Sequence, residues 1–121
     1  MRQNKYKNKK VQTPDGSFDS VKEYKRWSVL KKAEADGDIQ DLRRQVPFEL
    51  IPHQVLDTPR KRKGKSHTVQ KTELAVKYFA DFTYKVDGKL VVEDTKGVKT
   101  PEYIIKRKLM KWVHNIEIVE V

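Results

Sequence analysis

The chain has 121 residues, 36% hydrophobic and 36% charged, and no cysteine, which allows one core and excludes a disulfide framework or a thiolate zinc site. Lysine and arginine number 27 against 17 acids, a formal charge of +10 that points to a polyanionic partner, nucleic acid foremost. No apolar run approaches a membrane span and the lysine-rich start has no apolar signal segment, so no membrane partner and a soluble, cytoplasmic protein are expected.

Residues 1–13 are basic and polar and read as a flexible arm, with a short strand near Lys10–Thr13 before the Pro14-Asp15-Gly16 turn. Residues 14–121 then form a single domain. A helix is predicted from Asp19 or Ser20 as N-cap, with Phe18 as a staple and Val21, Tyr24, Trp27 or Ser28, Val29 and Leu30 as its apolar stripe. Glu23 suits the helix dipole, and from the first turn it could also reach over a sheet as a carboxylate ligand. The helix ends at Asp36-Gly37-Asp38. Residues 39–51 read as a strand from about Leu42, on an edge or bulged because Pro47 lacks a donor, with Gln45 able to face the same site as Glu23.

Residues 52–68 carry two prolines, Gly64 and the run Arg60-Lys61-Arg62-Lys63-Gly64-Lys65. They read as a basic loop or long hairpin tip, either solvated or holding nucleic-acid backbone, with His53 and His67 as surface residues. Residues 69–78 suggest a further strand. After Gly97, Thr100 caps a helix with Pro101 at its first position. Its expected core face is Ile104, Ile105, Leu109, Trp112 and Val113, and residues 116–121 form a closing strand. Trp27 and Trp112 read as core packing.

The chemistry concentrates in residues 78–97, two predicted strands joined by Asp87-Gly88, a pair suited to a two-residue type I′ turn. Counting back from that turn sets Val86 against Lys89, Tyr84 against Val91 and Asp81 against Asp94. Lys96 falls on the Asp94 face by the period of two, among Phe79, Thr83, Leu90 and Val92, while Glu93 points away. Opposed carboxylates repel, and a divalent cation relieves them. A structural Asp81–Lys96 ion pair is the plainer alternative. Apolar flanks that suggest burial on both faces favour the metal reading.

An acid on the first helix, then Asp81, then Asp94-Thr95-Lys96 resembles the PD-(D/E)xK nuclease superfamily. F-D-S-V-K-E-Y, Y-F-A-D-F-T-Y, V-V-E-D-T-K-G and the closing I-E-I-V-E-V are similar to small phage nucleases of the Holliday-junction-resolvase type. Ala80 stands where the strict pattern has proline, a departure that leaves the chemistry untouched. The resemblance implies an α/β restriction-endonuclease-like core, a mixed central sheet flanked by two helices in the order α-β-β-β-α-β. It implies a metal-dependent endodeoxyribonuclease acting on branched or four-way-junction DNA as a homodimer, leaving 5′-phosphate and 3′-hydroxyl ends. It would work in the bacterial host's cytoplasm, without a small-molecule cofactor. Asp81, Asp94 and the Thr95 carbonyl would bind Mg²⁺ or Mn²⁺, Glu23 would complete the shell, and Lys96 would orient the attacking water. Arg60, Lys61, Arg62, Lys63 and Lys65 would hold DNA. The alternatives are a nicking or double-strand nuclease without junction specificity, and a non-catalytic nucleic-acid-binding module.

Overall fold

Three short signals outline the chain: a Ser20 cap, a Thr100-Pro101 cap and the Asp87-Gly88 turn. The computed structural model describes residues 10–121, so residues 1–9 of the expected basic arm lie outside the described residues. Of the rest of that arm, Val11–Thr13 forms strand β1, paired with β2 (Gly16–Phe18). Helix α1 (Val21–Ala35) follows, then strand β3 (Gln40–Ile51). A long hairpin of β4 (Gln54–Arg62) and β5 (Lys65–Glu73) intervenes before β6 (Val76–Val86) and β7 (Lys89–Asp94). Helix α2 (Pro101–His114) and the short β8 (Val119–Glu120) complete the chain.

The main sheet is mixed, in the order β3-β6-β7-β8. β3, β6 and β7 pair antiparallel, and β8 returns parallel to β7 after the α2 crossover that a parallel pair requires. Pro47 sits on edge strand β3, where its missing N–H is harmless. The β6–β7 register follows the expected count, from Val86↔Lys89 to Phe82↔Glu93. Asp87 and Gly88 both have positive φ, +50° and +78°, as a type I′ turn demands.

Val91 packs in the cluster with Leu30 of α1, and Val92 in the cluster with Tyr103 and Met110 of α2. Neighbouring strand residues point to opposite faces, so the helices cover opposite sides of the sheet. The molecule is thus an α/β domain built on a mixed sheet and two helices. No described helix is long and apolar enough to cross a membrane.

Each helix buries only part of the expected stripe, Leu30 with Trp27 on α1 and Leu109 on α2. α1 turns Glu23 and Leu30 inward, with Trp27 stacked on Phe82 at 6.0 Å, and leaves Val21 and Val29 exposed. α2 buries Tyr103 and Met110, while Ile105 and Val113 are exposed and Trp112 is 84% exposed rather than in the core. Phe79 and Leu90 are exposed too, so the strands bearing the acids are not buried on both faces throughout. Residues 69–73 belong to β5 rather than leading into β6, and the closing strand is only two residues long.

A reversal in β6 shapes the site. Tyr78 and Ala80 pack with the α2 cluster, but Phe82 and Tyr84 pack with the α1 cluster. An unbroken period of two would hold all four on one face. The change falls at Asp81. Across from it lies Gln45, between Arg44 and Val46, which pair with Phe82 and Ala80; Gln45 has φ +49°, a left-handed conformation uncommon outside glycine.

Glu93 anchors α1 to the sheet. Its fully buried carboxylate takes two hydrogen bonds from the Arg26 guanidinium, at 2.8 and 2.7 Å, and a third from the Tyr84 hydroxyl. Burial, then that bond to Glu93, pushes the Tyr84 phenol up to about 12. Removing one partner of such a buried pair strands the other charge. Arg26→Ala should therefore cost about 3 kcal/mol in urea denaturation, and adding Glu93→Leu should recover most of it. A loss for Arg26→Ala below about 1 kcal/mol would make the pair a surface-strength contact.

Candidate functional site

The β6–β7 ladder ends at Phe82↔Glu93, so Asp81 and Asp94 stand one step beyond the last paired residues. There β7 turns to meet β8, with Asp94 opposite Glu120 and the Val121 N–H donating to the Asp94 carbonyl at 3.0 Å. Asp81 fills the opening. Its Oδ2 accepts from the Thr95 N–H at 2.9 Å and from the Thr95 hydroxyl at 2.8 Å. The Gln45 amide bridges the other oxygen to α1, donating to Asp81 Oδ1 at 3.3 Å and Glu23 Oε1 at 3.2 Å.

Glu23 comes to the site by way of the helix cap. Its N–H donates to the Ser20 Oγ at 3.1 Å, and its Oε2 accepts from the Asp19 N–H at 3.3 Å, a reciprocal cap that turns the side chain back over the helix start. The Arg44 guanidinium, 3.6 Å from the Phe18 ring centroid, lies 3.9 Å from Glu23 Oε1. Burial, then Asp81 and Asp19, raises the Glu23 carboxyl to about 7.

Asp94 is 1% exposed. Its Oδ2 accepts a 2.6 Å hydrogen bond from the Tyr78 hydroxyl, and its Oδ1 is buried with no partner among the described residues. Burial first and Asp81 second raise its carboxyl to about 6, against the pull of Tyr78 and Lys96. Burial and Asp94 push the Tyr78 phenol far above its ordinary range, so it remains a donor. Lys96 lies past the end of β7 rather than on the strand. It is exposed, with Nζ 5.4 Å from the Tyr103 ring centroid, and it lines the cleft.

The cleft encloses about 240 Å³. Glu23, Asp81, Thr95 and Lys96 line it, together with Ser20 and Thr100, the N-caps of α1 and α2. Both helices thus present their positive ends to one opening, an arrangement that favours phosphate. Glu93 faces the other way, committed to Arg26 and Tyr84.

The fold gathers Glu23, Asp81, Asp94, Thr95 and Lys96 at this end of the sheet. Arg60, Lys61, Arg62, Lys63 and Lys65 lie apart from it on the β4–β5 hairpin. Tyr78 has no signal in the sequence, because an unbroken strand would point it away from Asp94 and only the reversal at Asp81 brings it round. Thr95 contributes its amide and hydroxyl to Asp81, a side-chain role beyond the carbonyl expected of it.

Among the described residues, no three His, Cys, Asp or Glu side chains form a metal-holding group. The donor set suits a hard cation of another kind. It offers oxygen only: Asp81, Asp94, whose ionisation the neighbouring Asp81 opposes, and the Asp94 Oδ1 that has no partner among the described residues. Mg²⁺ characteristically takes one or two carboxylates, keeps several waters and completes its shell with substrate phosphate, so a full protein cage is not required.

The chain belongs to the DUF1064 family, described as proteins of unknown function, whose model matches residues 3–118. No curated protein and no solved structure matches the chain.

Proposed function

We propose that this protein is a divalent-metal-dependent endodeoxyribonuclease of the PD-(D/E)xK type with the restriction-endonuclease-like fold, acting on branched DNA as a Holliday-junction resolvase. The observation that carries this reading is the pair Asp81 and Asp94 at the opened end of the β6–β7 ladder, with the buried Asp94 Oδ1 unpartnered among the described residues. A purely structural pair would be expected to satisfy that oxygen. The order α1, β3, β6, β7, α2, β8, once the β1–β2 and β4–β5 hairpins are set aside, supports the fold.

In this reading Asp81 and Asp94 hold Mg²⁺ or Mn²⁺, with Glu23 and the Thr95 carbonyl completing the protein's share of the shell. The bound cation would supply a water of lowered pKa and offset charge on the scissile phosphate. Tyr78 aims Asp94 by occupying Oδ2 and leaving Oδ1 free. Gln45 couples Glu23 to Asp81. Lys96 orients the attacking water from the open side, and its charge supports the crowded phosphorus of the transition state. The N-termini of α1 and α2 receive the phosphate. Water oxygen bonds to phosphorus, the bond to the 3′ oxygen breaks, and that oxygen takes a proton. The products are a 5′-phosphate and a 3′-hydroxyl.

Cutting two opposed strands of a junction calls for two sites, so the reading includes a homodimer. The test is cleavage of a labelled four-way junction against matched linear duplex, with Mg²⁺ or with EDTA. Paired nicks on the junction alone, abolished by EDTA, are the expected result. Equal cutting of both substrates would retain the nuclease and discard junction specificity. Binding without cleavage under Mg²⁺ and Mn²⁺ alike would leave a DNA-binding module.

A further inference from the structure

The β4–β5 hairpin has no role in the chemistry above, yet it takes up nine residues on each strand. It is one continuous ladder, from Gln54↔Glu73 to Arg62↔Lys65, closed by Lys63-Gly64 with φ of +53° and +74°. Along it only Thr58 and Val69, which face each other, are even half-buried. It is a separate sheet, and its extensive contacts are between its own two strands. An isolated two-stranded hairpin is marginal in water. At about 3.3 Å per residue it is about 30 Å long, close to one turn of duplex DNA.

Its charge is uneven. The ladder and the period of two place Arg60, Arg62, Lys65, His67 and Lys71 on one face, with the half-buried Thr58 and Val69 between them and Glu73 3.7 Å from Lys71. The other face carries one cation, Lys61, and one acid, Asp57, paired with Ser66 and Gln70, beside Thr68 and Thr72. The basic run that reads as a single cluster in sequence is therefore divided by the strand.

We infer that this hairpin is a β-ribbon that lies in the major groove of duplex DNA beside the cleavage site, with the Arg60–Arg62–Lys65 face toward the DNA. The inference rests on the nuclease reading for the position of the cut, but not for the contact itself. The major groove admits a two-stranded ribbon, and cations on one face can neutralise phosphates at its walls. The hairpin leaves the main sheet beyond the Ile51↔Val76 pair, five residues from Asp81, or about 17 Å along the strand. The groove contact thus lies on the flanking duplex, away from the scissile phosphate.

The test compares two full-length variants of equal net charge. Arg60→Gln/Arg62→Gln removes two charges from the basic face, and Ser66→Glu/Thr68→Glu adds two acids to the other. On a duplex of about 40 bp, Arg60→Gln/Arg62→Gln should bind about tenfold more weakly, with a log–log salt slope shallower by about two. Ser66→Glu/Thr68→Glu should change affinity less than about threefold and keep the slope. Wild type should protect guanine N7 from methylation on the flank, and Arg60→Gln/Arg62→Gln should lose that protection. Equal weakening by both variants, no N7 protection, or equal binding of double-stranded RNA, whose major groove is too narrow, would each overturn the inference.

A hairpinless variant in which Asn-Gly joins Ile51 to Val76 gives a second check, since those residues are already partners. It should lose the flank protection while still cutting DNA too short to reach the ribbon. Flank protection without cleavage by wild type would sink the nuclease reading and leave the ribbon standing.

Discussion

Asp94→Ala should lose cleavage by about 10³-fold or more, equivalent to about 4 kcal/mol of transition-state stabilisation, with DNA affinity nearly unchanged in EDTA. Asp94 lends the site a buried oxygen that no donor among the described residues satisfies. Asp81→Asn should be comparably inactive, because the amide keeps the shape and the acceptor for Thr95 but removes the negative charge that would hold the cation. Tyr78→Phe should lose less, about tenfold to a hundredfold, since it removes only the group that orients Asp94. Single-turnover rates with saturating Mg²⁺, alongside anisotropy binding in EDTA, separate these effects. An Asp94→Ala enzyme that cuts within tenfold of wild type would end the assignment. If Asp94→Ala and Tyr78→Phe proved equally impaired, Asp94 would be a positioning group and not a ligand.

The second large effect concerns stability. Glu23 is raised to about 7 and Asp94 to about 6, mainly by burial, with Asp81 adding to both. The folded protein therefore keeps protons that the unfolded chain has released, and linkage makes stability fall as pH rises. The favourable contribution is complete below about pH 4 and is lost as pH passes through 6 for Asp94 and 7 for Glu23. Each group accounts for at most roughly 3 kcal/mol, and their shared neighbour makes the sum smaller than two independent terms.

In EDTA, the urea midpoint should therefore decline from pH 5 to pH 8, against the usual trend for paired carboxylates. Glu23→Gln should flatten the upper part of that decline and Asp94→Asn the lower part. Mg²⁺ or Mn²⁺ should restore stability at the alkaline end, where both carboxylates are charged and ready to bind it. A flat profile would mean the acids are better solvated than their burial indicates. A decline that divalent ions leave unchanged would argue against a metal site without any reference to activity.

Much of the site was legible in the linear chain because backbone chemistry encoded it locally. Asp87-Gly88 set the register and, with it, the approach of Asp81 to Asp94. Ser20 and Thr100-Pro101 set the two helix starts that line the cleft. Pro47 put β3 on an edge. Each of these depends on a few neighbouring residues and their preferred dihedrals or charges.

What those residues touch was decided by partners far away in the sequence. Val21, Val29 and Trp112 have apolar side chains at helical spacing, yet burial followed the stripes that the sheet could cover: Glu23 with Leu30, and Tyr103 with Met110. The reversal at Asp81 exists because β3 and β6 change faces together at Gln45, and it alone turns Tyr78 toward Asp94. The basic run became a ribbon of uneven charge only through its pairing with β5, since a strand divides successive residues between two faces. Local residue preferences mark where the elements begin, turn and carry charge. Which side chains meet depends on burial and strand pairing, and these rest on surfaces assembled from distant segments.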